Sequence, residues 1–335
     1  MLLNPAIMAL ILVSAVVVLM LGMATVFAVQ VLRHWDISSG SEQQLILERR
    51  TYLISTLMSW AFAAELVSLL LFIYNAESMS GQFVGAMCAT GVLNVNAWGW
   101  PTLFMKITLF FTGAVWLTLN ALDNQGYDYP LIRLKYLLLI LIMPVVMLEA
   151  YLQLQYFLQL SPDVITSCCG SLFSANAEGV AAEVTAVSPA IAMWGFYVSG
   201  VAVIAMGVIY LLKNQGATLF SLLAIVAFGL ALVAIISVIS PYIYEHPQHH
   251  CPFCILKSGH GFAGYLLYIP LFLATAAALA VGVVGPWQHI ESLSMAVKVR
   301  GQQLVRLSLG MFILFYLLSV AYVASSNLVM QGVWW

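Results

Sequence analysis

Residues 246–254 read His-Pro-Gln-His-His-Cys-Pro-Phe-Cys, three imidazoles and a C-x-x-C pair within nine positions. Thiolate and imidazole are the side chains that soft metals select, and paired thiols also carry out two-electron redox chemistry. His249 and His250 directly precede Cys251, and Pro252 restrains the backbone between the two sulfurs. A nearby imidazolium lowers a thiol pKa and so raises the thiolate fraction available for exchange. Three further cysteines, Cys88, Cys168 and Cys169, stand far away in sequence.

These letters support three readings. In the first, Cys251 and Cys254 form the primary pair of a thiol-disulfide oxidoreductase, with Cys88 or Cys168 and Cys169 as resolving partners. In the second, a soft ion is held for transport or delivery. His246, His249 or His250, Cys251 and Cys254 then supply nitrogen and sulfur to a tetrahedral ion, and His260 is a further candidate. Zinc suits that donor set, and copper(I) suits thiolates beside Met87. In the third, the cysteines staple the loops of a non-catalytic subunit in a larger membrane assembly. A c-type haem is excluded by the motif, because residue 255 is Ile where the attachment sequence needs His.

The elements that must position these groups are membrane helices. Of the 335 residues, 63% are hydrophobic and 7% charged, far below the charge of a soluble domain. Crossing about 30 Å of hydrocarbon takes about 20 apolar residues in a helix. Eight such runs stand near 5–32, 52–74, 101–122, 135–158, 189–212, 216–240, 260–285 and 303–325. The expectation is an all-α polytopic bundle forming one domain over 1–335. Loops near 75–100, 159–188 and 241–259 then carry the cysteines. No basic tract suggests nucleic acid, no phosphate-binding glycine loop is present, and the two halves show no repeat. The expected surroundings are lipid and membrane subunits.

Basic residues orient the bundle. Arg33, Arg49, Arg50, Arg133, Lys135, Lys213, Lys298, Arg300 and Arg306 gather on one set of loops and helix ends, and Lys257 stands alone on the other. The positive-inside rule then places both termini and every cysteine outside the cytoplasm, as in a bacterial inner membrane protein whose active face is periplasmic. Disulfides persist in that compartment.

A C-x-x-C pair on that face, with further thiols in neighbouring loops, resembles the working plan of bacterial membrane thiol oxidases that reoxidise periplasmic disulfide catalysts. The resemblance covers the motif and its side of the membrane, and it implies a thioredoxin-like partner. A metal-carrying protein is the corresponding partner in the metal reading. Those oxidases have four-helix cores against eight spans here, so their quinone site and residue roles do not transfer, and a quinone has no motif in this chain.

Away from the ends of the runs, three charged residues lie inside them: Glu65, Lys106 and Glu149. At about 1.5 Å per residue, Lys106 sits about 7 Å and the glutamates about 13–16 Å below the outer helix ends. Charge at that depth must face the bundle interior. It suits an ion pair, a proton-handling path, or a polar rim for a quinone or ion. The orientation predicts that an impermeant thiol reagent, applied to intact cells after reduction, labels the cysteines. Labelling confined to permeabilised cells would contradict it.

Overall fold

The computed structural model describes residues 3–166, 187–330 and 333–335, and regular structure among them is helical. The helices are α1 Pro5–His34, α2 Glu42–Ser78, α3 Ala89–Leu93, α4 Gly99–Asp123, α5 Ile132–Leu158, α6 Pro189–Lys213, α7 Ala217–Ala234, α8 Ser240–Tyr244, α9 Ala263–Val284 and α10 Ser294–Ser325. A π-helical turn, Ile235–Ile239, joins α7 to α8. With α7 through α8 taken as one span, eight helices among the described residues are long and apolar enough to cross a membrane, which makes this an integral membrane protein.

Local chemistry explains the helix starts. Asn4 accepts a hydrogen bond from the Ala6 amide ahead of Pro5, and Ser188 does the same for Ile191 ahead of Pro189. Each pairs an N-capping side chain with a proline whose missing N–H costs nothing in the first turn. α6 ends at Asn214 in the left-handed region, and Gly216, at φ 85°, turns the chain directly into α7. Two helices begin well before their apolar runs: α2 at Glu42 rather than near 52, and α10 at Ser294 rather than near 303. Hydropathy marks the part of a helix that lipid requires. The helix itself continues through Glu, Gln, Arg and Lys, which are good helix formers in water.

The chain divides into two compact units. The first comprises Met1–Asn75, Asn96–Leu160 and Val283–Arg300. Its core contains Leu21, Phe27, Val31, Met58, Phe62, Trp116, Tyr136 and Leu139. The α4 backbone approaches α2 at Gly113, where an added Cβ would lie 3.2 Å from the Phe62 ring.

Lys135, counted above among the loop-associated basic residues, is fully buried in this unit. Its Nζ lies 2.7 Å from Asp123 Oδ2 and donates to Asn120 Oδ1 at 3.2 Å and to Asn124 Oδ1 at 3.5 Å. The other Asp123 oxygen accepts the Leu131 amide at 2.8 Å, so this pair fastens the start of α5 to the end of α4.

The second unit comprises Ala76–Val95, Ser161–Gly282 and Gly301–Trp335. Its apolar core runs through Phe196, Val203, Ala224, Ala231, Val238, Leu267, Leu271, Phe312 and Phe315. Gly200 has no room for a side chain, because a Cβ there would meet the Tyr316 ring at 2.6 Å. Ser308 donates across to the Ala274 carbonyl at 2.7 Å, tying α10 to α9. At the C-terminus Trp334 stacks on Trp194, and Trp335 donates its indole N–H to Tyr242 Oη at 3.0 Å.

Asp123→Asn removes one partner of a fully buried pair and leaves the ammonium uncompensated. It should cost about 3–5 kcal/mol in thermal or denaturant unfolding of the detergent-solubilised protein. The double change Asp123→Leu with Lys135→Met should recover most of that loss. A single variant as stable as the wild type would contradict the pairing.

Candidate functional site

The second unit brings Cys88, Cys251 and Cys254 together. Their sulfurs all lie within 4.8 Å of one another. The side chains are buried, with exposures of 0%, 0% and 5%. Cys88 and Cys251, 163 positions apart in sequence, have sulfurs 3.4 Å apart, and the Thr90 hydroxyl lies 3.3 Å from the Cys251 sulfur. Ile236, Tyr244 and Phe253 pack around the three thiols. Cys168 and Cys169 fall outside the described residues.

Each thiol is placed by backbone held from elsewhere. Cys88 precedes α3, and its carbonyl accepts the Gly91 and Val92 amides. Glu77, in the last turn of α2, accepts the Ala89 amide at 2.8 Å, and Lys257 lies 3.8 Å from its other oxygen. Lys257 also donates to the Met87 carbonyl. Gly91 is required here, since a Cβ would press 2.7 Å from the Ala86 backbone. On the C-x-x-C segment, Tyr244 donates to the Cys251 carbonyl at 2.6 Å and Tyr268 to the Pro252 carbonyl at 2.8 Å.

The histidines divide in role. His246 is exposed, and its Nδ1 accepts the Gln248 amide at 3.4 Å within a local turn. His250 Nδ1 lies 3.0 Å from the carbonyl of Ile236, in the π-helical turn, which anchors the C-x-x-C loop to the helix below it. Wide π turns recur at functional sites because they displace backbone groups from the regular ladder. His260 sits edge-on to Tyr244, and burial first, then Lys257, holds its pKa below the ordinary imidazole value.

His249 also packs edge-on against Tyr244, with ring centroids 4.3 Å apart. Its Nε2 is buried and makes no hydrogen bond. Burial is the main cause that lowers the His249 pKa. The neighbouring Cys88 opposes it, and the other three histidines of the loop reinforce it. The ring is therefore neutral at neutral pH, the form that can donate a nitrogen lone pair to a metal. Met87, by contrast with the three buried thiols, is 64% exposed.

The intramembrane charges belong to the first unit. Lys106 Nζ lies 2.7 Å from Glu149 Oε1 and donates to Ser68 Oγ at 2.6 Å. Ser14 donates to Glu149 Oε2 at 3.5 Å, and Gln153 donates to Ser14 at 2.7 Å. Glu65 is 2% exposed and interacts electrostatically with both Lys106 and Glu149. All three face inward.

Sequence reasoning did not single out Thr90, Glu77, Tyr244 or Tyr268. Two signals were there to use. An acidic residue in the last turn of a helix opposes the helix dipole and needs a partner beyond its own helix, as Glu77 has. A tyrosine in an apolar helix needs a partner for its hydroxyl, and these two find theirs on the cysteine loop. Compared with protein-family models, curated proteins and solved structures, the chain matches none of them.

Tyr244→Phe deletes the donor to the Cys251 carbonyl. It should cost about 1–3 kcal/mol and speed modification of Cys251 by a small thiol reagent several-fold. Equal modification rates in variant and wild type would show that Tyr244 does not hold the loop.

Proposed function

We propose that this protein is a soft-metal-binding membrane protein, in which Cys88, Cys251 and Cys254 hold a copper(I) or zinc ion through their thiolates, with His249 Nε2 as fourth ligand for zinc. The observation that carries this reading is the convergence of three buried sulfurs within 4.8 Å. Sulfur ligands at about 2.3 Å from a tetrahedral ion stand about 3.8 Å from each other, within the spread of this cluster. The buried Nε2 of His249 satisfies the second requirement, a neutral nitrogen in need of a partner. That nitrogen lies outside the sulfur cluster, so it reaches the ion only if the 246–250 turn moves.

Burial weighs against direct thiol exchange with a soluble protein. Mixed-disulfide chemistry needs a partner thiolate to approach a sulfur in line, and exposures of 0%, 0% and 5% block that approach while the loops are closed. A redox reading survives in one form, favoured by the 3.4 Å approach of Cys88 to Cys251. Those two thiols, rather than the C-x-x-C pair, would then form the disulfide, releasing two electrons and two protons to an acceptor. The distribution of Lys and Arg supports a periplasmic site in a bacterial inner membrane, with the ion exchanged with a metal-carrying protein.

Elemental analysis of protein purified without chelator tests the reading. We expect close to one copper or zinc per chain in the wild type and a fall of at least ten-fold in Cys88→Ser and Cys254→Ser. Acidification should release the ion, because each thiolate must take a proton as the metal leaves. Metal-free wild type that also resists reloading, with Cys88 and Cys251 trapped as a disulfide, would replace the metal reading with the redox one.

A further inference from the structure

Glu65, Lys106 and Glu149 set two carboxyl groups against one ammonium in a buried part of the first unit. Lys106 and Glu149 form an ion pair at 2.7 Å, Ser68 accepts from Lys106, and Ser14, which accepts from Gln153, donates to Glu149. Glu65 is different. Its Oε1 is buried and makes no hydrogen bond, although the charges it feels are Lys106 from α4 and Glu149 from α5. From α1 the cluster receives the hydroxyl of Ser14 and no charge. An ionised carboxylate with a bare oxygen in low dielectric, beside a second carboxylate, is far costlier than the neutral acid.

We propose that Glu65 is a proton-binding site: the Glu65–Lys106–Glu149 cluster carries one exchangeable proton on a carboxyl group at neutral pH, inside the membrane-spanning part of the bundle. The chemistry is the addition of one proton to a carboxylate, with no change in oxidation state. Electroneutrality sets the count, since two carboxylates facing one ammonium balance when one of them is protonated. This is a ligand site for the smallest cation, built from residues other than those of the cysteine pocket.

The proton count changes predictably with each substitution. Glu65→Gln leaves one carboxylate for one ammonium and needs no proton. Glu149→Gln makes Glu65 the counter-ion of Lys106, so Glu65 ionises and the proton again disappears. Lys106→Gln removes the ammonium, and both carboxyls become protonated.

Infrared difference spectroscopy of the full-length protein in lipid reads this directly, through the carbonyl stretch of a protonated carboxylic acid and its shift in D2O. We expect one such band in the wild type at neutral pH, lost in Glu65→Gln and in Glu149→Gln and doubled in Lys106→Gln. If Glu65→Gln does not fold, the other two variants still decide the matter, because their predicted changes have opposite sign. A wild type lacking the band, or one whose band is the same in Glu65→Gln or in Lys106→Gln, would overturn the proposal. Stabilisation by sodium in place of the band would assign the site to a metal cation instead, and would equally overturn it.

Discussion

A polar group carried into hydrocarbon has no water to turn to, and this single restriction arranges the rest of the molecule. Backbone groups meet it by forming helices. Side chains meet it by finding one another: Lys106 with Glu149, Lys135 with Asp123, Trp116 donating to the Lys135 carbonyl, Ser308 to the Ala274 carbonyl. Each pairing joins two helices, so the need to satisfy buried polarity also fixes which helices are neighbours. Glu65 Oε1 has neither a hydrogen bond nor an ammonium within ion-pair distance, and the second lack distinguishes it from Glu149 and Asp123.

The cysteine pocket answers the same restriction at the ends of the helices. Three thiols are drawn out of water by Ile236, Tyr244 and Phe253, and the loop that carries two of them receives hydrogen bonds on its backbone carbonyls. Tyr244 and Tyr268 satisfy their own hydroxyls in the act of holding the C-x-x-C segment, and His250 does so on the carbonyl of a π turn. The C-x-x-C segment is therefore held through its backbone, by Tyr244 and Tyr268 on its carbonyls and by His250 on the helix below. Preorganisation of that kind is what a metal site needs and what an exchange-active thiol pair does not.

The spans were legible because their lengths and apolarity are set by the bilayer rather than by partners. Their polar extensions, Glu42 onward in α2 and Ser294 onward in α10, were not, since helix propensity in water leaves no hydropathy signal. Inward-facing Glu65, Lys106 and Glu149 followed from the cost of charge in lipid. The pairing of Asp123 with Lys135 did not, because both sit at helix ends where exposed and buried positions read alike. At the pocket, the C-x-x-C motif declared itself, whereas the contribution of Cys88 depends on contact across 163 positions, information held in tertiary packing. The choice among the histidines also came from the fold: spacing made His246, His249, His250 and His260 equal candidates, and burial and hydrogen bonding separate them.

The most direct measurement is X-ray absorption at the copper and zinc edges of the purified, chelator-free protein. The account predicts a first shell dominated by three sulfurs at about 2.3 Å, joined by one nitrogen at about 2.0 Å if the ion is zinc. A shell of nitrogen and oxygen scatterers without sulfur would contradict it, because it would place any bound ion away from Cys88, Cys251 and Cys254.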